Sequence, residues 1–172
     1  MTKSRFNNIS LGGRLAYMIM CFEKFVSTKY PNHNYKKLFT ELWKGTSEND
    51  WATLVDMLFD IMPTYFFEND HYVKDNYAWL KEEDYAYYRE IVSSIPEIQT
   101  ILEAFKDFLY AYEGTTIKGT GKEATDQMFV LVELLESNKI ELPDPNLVDF
   151  SKFEERDGWG NTFDGTKLSI IL

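Results

Sequence analysis

The chain has 172 residues, 44% of them hydrophobic, a single cysteine and a formal net charge of −10 at pH 7. That length suits one domain burying roughly 70% of its unfolded surface, and the apolar content excludes global disorder. The acidity argues against DNA, RNA or anionic membranes as direct partners, because those surfaces are gripped by Lys and Arg.

The segment Met1 to Asn8 is polar, and the apolar stretch after it is broken by Arg14, Glu23 and Lys24. This pattern is not that of a secretory signal, and no run approaches the roughly 18 apolar residues of a membrane span. Cys21 has no second cysteine with which to form an internal disulfide. A cytoplasmic protein is expected.

Leu11, Leu15, Met18, Phe22 and Phe25 recur at helical spacing, with Ser10 as N-cap, and the Asn-rich turn after Pro31 ends this first helix. Tyr35, Leu38, Phe39, Leu42 and Trp43 mark a second helix, expected to stop at Gly45. Ser47 and Asp50 resemble a capping box for a third helix carrying Trp51, Leu54, Val55, Leu58 and Ile61, closed by Pro63. Residues 64–80 have no clean period and read as a loop with one short helical turn.

Tyr85, Tyr88, Val92 and Ile95 form a fourth stripe. Pro96 suits the first position of a fifth helix, whose stripe, Ile98, Ile101, Phe105, Phe108 and Tyr112, is the most regular in the chain. A glycine- and threonine-rich loop follows. Thr120 and Glu123 then read as a capping box for a sixth helix through Ala124, Met128, Leu131 and Leu135. Beyond Pro143 and Pro145 the pattern fails until Leu168, Ile170 and Leu172, which alternate like one short strand. The expected architecture is all-α: a single-domain bundle of about six helices over 1–145. An irregular C-terminal extension, 146–172, packs on the same domain and ends in that strand.

No catalytic or metal set emerges. His33 and His71 lack a second ligand at i+3 or i+4 and read as surface residues. Cys21, beside the main stripe of its helix, reads as a packing residue rather than a nucleophile. Gly114 and Gly119 have phosphate-loop spacing, but Thr120 stands where the lysine belongs. Asp157, Asn161 and Asp164 do not follow the alternation of a calcium loop. Neither a cofactor nor a metal is expected.

Charge and aromatic content are unevenly distributed. Residues 1–63 hold eight basic groups against six acidic, whereas 64–172 hold ten against 22. Residues 64–90 alone carry seven acids, three bases and nine aromatics. Acids beside rigid amphipathic rings suit recognition of a basic protein. The candidate partner-binding residues are Asp75, Tyr77, Trp79, Glu82, Glu83 and Asp84, together with Glu154, Glu155, Asp157 and Trp159 of the tail.

The segment Leu11-Gly-Gly-Arg-Leu-Ala-Tyr-Met-Ile-Met-Cys-Phe-Glu-Lys24 resembles the opening helix of small helical immunity proteins from bacterial polymorphic toxin systems. Leu42-Trp43, the Thr46-Ser-x-x-Asp-Trp51 helix start, Ile61-Met-Pro63 and Asp157-Gly-Trp-Gly-x-x-Phe-Asp-Gly165 add to the likeness, which covers the N-terminal third and the tail. The resemblance implies a cytoplasmic, non-enzymatic protein that binds one cognate toxin and blocks its active site. An acidic inhibitor would suit a nuclease toxin with a basic surface. Two other readings stand beside it: a helical adaptor or regulatory module, and a hydrolase whose carboxylates converge only in the fold.

Overall fold

The computed structural model describes residues 1–48, 50–112 and 115–172. Among these the chain forms seven α-helices and no strand: α1 (Leu11–Lys29), α2 (Lys36–Ser47), α3 (Trp51–Asp60), α4 (Pro63–Phe66), α5 (Glu82–Ser94), α6 (Ile98–Tyr110) and α7 (Lys122–Ser137). The expected all-α bundle is therefore observed, with the one-turn helix α4 making the seventh. Short 3-10 turns at Lys74–Asn76, Pro145–Val148, Glu155–Gly158 and Gly165–Leu168 shape the segments between and after the helices.

Helix α1 is the hub. The Ser10 hydroxyl accepts the Gly13 N–H at 3.1 Å, the expected cap. The helix then contacts α2, α6, α7 and the C-terminal segment, so nearly every face is covered. Its stripe continues into its neighbours: Phe22 meets Phe39 of α2 at 5.1 Å and Phe105 of α6 at 5.9 Å. Phe105 is fully buried at the centre of the α6 stripe. Cys21 is buried in the same core, and that burial pushes its thiol pKa up, away from thiolate reactivity.

Several element boundaries differ from the sequence expectation, each for a tertiary reason. Gly45 does not stop α2, which runs on to Ser47. A Cβ there would lie 2.9 Å from Leu15 and 3.0 Å from Leu54, so glycine serves close packing of α1, α2 and α3. The cap of α3 is Asp50 rather than Ser47: its carboxylate accepts the Thr53 N–H at 3.1 Å and the Thr53 hydroxyl at 2.6 Å. Pro96 precedes α6 by two residues, in a turn, and Glu97 holds the N-cap position without a side-chain cap bond.

The Thr120–Glu123 capping box is not formed. Gly121, at φ +70°, is the N-cap of α7, the Thr120 carbonyl accepts from Arg14 at 2.7 Å, and the Glu123 carboxylate accepts from the Tyr112 hydroxyl. Nor do Leu168, Ile170 and Leu172 form a strand. Among the described residues no strand edge runs beside them; the Ile170 N–H goes to Glu23 at 2.8 Å, and those of Ile171 and Leu172 go to the Ser169 hydroxyl.

The C-terminal segment straps the open side of α1 and α2. Ser10 and Ser151 share a 2.6 Å hydroxyl contact, the Gly12 N–H donates to the Trp159 carbonyl at 3.1 Å, and Phe163 and Gly165 donate to Thr46. Gly160, at φ +81°, lies so close to Ser10 that any Cβ would collide with it. No helix among the described residues is long and apolar enough to cross a membrane.

Candidate functional site

The aromatic and acidic segment after α4 is organised by Asp60, the last residue of α3. Its Oδ1 accepts the Ala78 N–H at 3.2 Å, and its Oδ2 accepts those of Trp79 and Leu80 at 2.6 and 2.7 Å. Three consecutive backbone donors on one carboxylate fix an otherwise irregular chain, and Asp60 is only 8% exposed. Replacing it with alanine strands those donors. Asp60→Ala is expected to cost about 2–3 kcal/mol and to raise amide exchange at residues 78–80 above the rest of the fold. Urea denaturation and amide exchange test both.

Rings fill the space above this anchor. Phe66 is fully buried and meets Tyr85 at 5.1 Å and Tyr77 at 6.2 Å. Tyr72 and Tyr77 stack at 5.3 Å, and Trp79 meets the buried Tyr88 edge-on at 5.5 Å. Tyr77 and Trp79 are thus half-buried parts of the packing. Burial, then Tyr85 and Asp60 nearby, pushes the Tyr77 phenol pKa up to about 12. Asp84 is tied to Lys37, joining the start of α5 to α2. Asp75, Glu82 and Glu83 are exposed, as a solvent-facing acidic rim requires.

The tail residues lie apart. Trp159 is half-buried against Trp51 at 5.1 Å, and Glu154 and Asp157 are exposed. The Glu155 carboxylate accepts weakly from the Asn161 N–H at 3.5 Å. Among the described residues no hydrogen bond, ion pair or ring contact joins this group to residues 75–84.

A groove that sequence patterns do not single out opens beside the predicted segment. Phe59, Asp60, Tyr65, Glu68, Asn76 and Tyr77 line it, with a volume of about 390 Å³. Tyr65 is 54% exposed, and Tyr110 of α6 is 41% exposed beside Phe59 at a ring separation of 6.1 Å. Phe59 and Tyr110 each fall outside the buried stripe of their helix. An aromatic residue left over once the stripe is assigned was the available signal.

The groups that could do chemistry are dispersed. His33 pairs with Glu90 at 3.3 Å, and His71 is exposed. The described residues hold no group of three or more His, Cys, Asp or Glu placed to bind a metal ion. No family model, curated protein or solved structure matches the chain.

Proposed function

We propose that the chain is a binding module that neutralises a basic toxin domain by occupying it in a one-to-one complex. The observation that carries this reading is the exposed aromatic groove, lined by the carboxylates of Asp60 and Glu68, which form no ion pair among the described residues, on a molecule of net charge −10. Rigid rings supply contact area at low entropic cost, and the acidic rim speeds encounter with a positive surface. The sequence resemblance to helical immunity proteins supports the same role, in the cytoplasm where the toxin would act. An adaptor would use the same face without inhibiting what it binds. The hydrolase reading is less well supported: Asp60 and Glu68 share the groove, but Asp60 already serves three backbone donors.

The test is co-expression with a candidate toxin domain, taken from a neighbouring gene where one encodes it, followed by titration of the two purified proteins. Protection of the host and saturation at a one-to-one ratio are expected. Reversing Asp75, Glu82 and Glu83 to Lys should slow association and flatten its salt dependence, each rim charge being worth less than about 1 kcal/mol. Binding without inhibition would identify an adaptor; absence of both would refute the reading.

A further inference from the structure

We propose that the groove is a receptor for one guanidinium group, the side chain of an arginine presented by the partner. The proposal rests on the toxin-binding reading only for the source of that arginine. Its physical basis is local. Phe59, Tyr65 and Tyr77 give the groove aromatic walls, and Asp60 and Glu68 give it two carboxylates. Neither carboxylate forms an ion pair among the described residues.

Three of Asp60's acceptor positions are filled by backbone N–H groups, leaving one on Oδ1, while Glu68 stands exposed at the rim. Two negative groups in a ring-walled concavity, with no cation among the described residues paired to them, form a site that favours a positive ligand.

One wall of the groove and two rings beside it already take cations from the chain itself. Lys106 Nζ lies 5.8 Å from the centre of the Phe59 ring. The Arg89 guanidinium lies 5.5 Å from Phe67 and 5.8 Å from Tyr85. Among the described residues no such cation covers Tyr65, the most exposed ring of the groove. Arginine fits better than lysine for two reasons. Its planar, weakly hydrated head stacks on a ring while its fork meets a carboxylate edge-on, and an ammonium gives up more hydration for fewer directed contacts. The volume of about 390 Å³ also admits the alkyl stem.

The test uses the intact protein and needs no toxin. Nα-acetyl-arginine amide is titrated while the aromatic and amide NMR signals are followed, with the citrulline and lysine analogues as controls. Citrulline keeps the shape of arginine and removes its charge. Saturable shifts centred on Phe59, Tyr65 and Tyr77 are expected, with citrulline at least about tenfold weaker and lysine weaker by a smaller factor. Glu68→Gln should weaken arginine binding about fivefold and leave the citrulline response unchanged; Tyr65→Ala should weaken both. Both side chains are exposed, so neither change threatens the fold.

Equal response to citrulline overturns the proposal, as does indifference to Glu68→Gln, or shifts spread over Glu82 and Glu83 as strongly as over the groove. The two readings fail separately. A chain that takes the probe in the groove but neutralises no toxin keeps the receptor and loses the role. A chain whose Tyr65→Ala/Glu68→Gln variant protects like the parent, with the groove silent to the probe, keeps the role and loses the receptor.

Discussion

Replacing Arg14 with methionine should lower the stability of the fold by about 3–5 kcal/mol, although methionine fills similar space and is at home in a core. Arg14 is fully buried. Its Nε donates to the Ile9 carbonyl at 2.9 Å, and its Nη1 donates to the Thr120 and Gly121 carbonyls at 2.7 and 2.9 Å and to the Thr125 hydroxyl at 2.8 Å. The guanidinium also lies 5.1 Å from the centre of the Phe153 ring. One side chain thus joins the segment before α1, the start of α7 and the C-terminal segment.

Burial lowers the Arg14 pKa to about 10, which still leaves the group charged at neutral pH. Among the described residues its charge is spread over carbonyl dipoles and a hydroxyl instead of being met by a carboxylate, and Nη2 has no partner there. A buried ion pair can be replaced by apolar residues at little cost, because both partners go together. Here the partners are mostly backbone carbonyls, which no single substitution removes. Arg14→Lys should recover only part of the loss, since one ammonium cannot span acceptors on both sides of the fork. Urea midpoints compare the three proteins. A methionine variant with the parent's midpoint would mean that water satisfies those carbonyls equally well.

Arg14 also marks where reading the sequence stops. Helices α1, α2, α3, α5, α6 and α7 are legible because each carries an apolar stripe of its own, and Ser10 is legible as a cap because its partner is three residues away. The signals that mislead are those whose partner is distant. Thr120 and Glu123 have capping-box spacing, yet Arg14, 106 residues from Thr120, and Tyr112, 11 residues from Glu123, claim them. In sequence Arg14 and Glu23 interrupt an apolar run; in the fold both are buried members of the central helix.

The candidate site divides in the same way. Composition points to residues 64–90 as aromatic and acidic, and Tyr77 does line the groove. The groove itself depends on Phe59 of α3 and Tyr65 of α4 meeting the 74–77 turn, with Tyr110 of α6 alongside, a convergence that no local period encodes. Tyr77 and Trp79 carry amphipathic rings that the fold uses for packing, a use that sequence alone does not separate from exposure to a partner.

Removing Ser169 to Leu172 should destabilise the protein by about 3–5 kcal/mol at neutral pH, out of proportion to four largely surface residues. The reason is Glu23, fully buried in α1. Its Oε1 accepts from Trp43 Nε1 at 2.8 Å and from the Ser169 hydroxyl at 2.5 Å, and its Oε2 accepts from the Ile170 N–H at 2.8 Å. No cation pairs with it among the described residues, so the truncation leaves a buried charge holding one donor of three. Burial raises the Glu23 pKa above the ordinary 4.5, with the three hydrogen bonds opposing the shift.

The sign of the pH dependence follows from that direction. As pH falls, the native state takes up the Glu23 proton before the unfolded chain does. The stabilisation linked to this group is therefore complete below the ordinary value and lost as pH rises through the raised one. Losing two of the opposing donors should raise the pKa further, so acidification from pH 7.5 toward 5 should recover more stability in the truncated chain than in the parent. Glu23→Gln, which cannot ionise, supplies the decisive comparison. In the parent it removes charge-assisted hydrogen bonds and should destabilise. In the truncated chain it removes an uncompensated charge and should stabilise at pH 7.5, with an advantage that shrinks on acidification. If Gln destabilises both chains equally at both pH values, the penalty of truncation comes from lost packing of Ile171 on the core, and the buried charge plays no part in holding the strap.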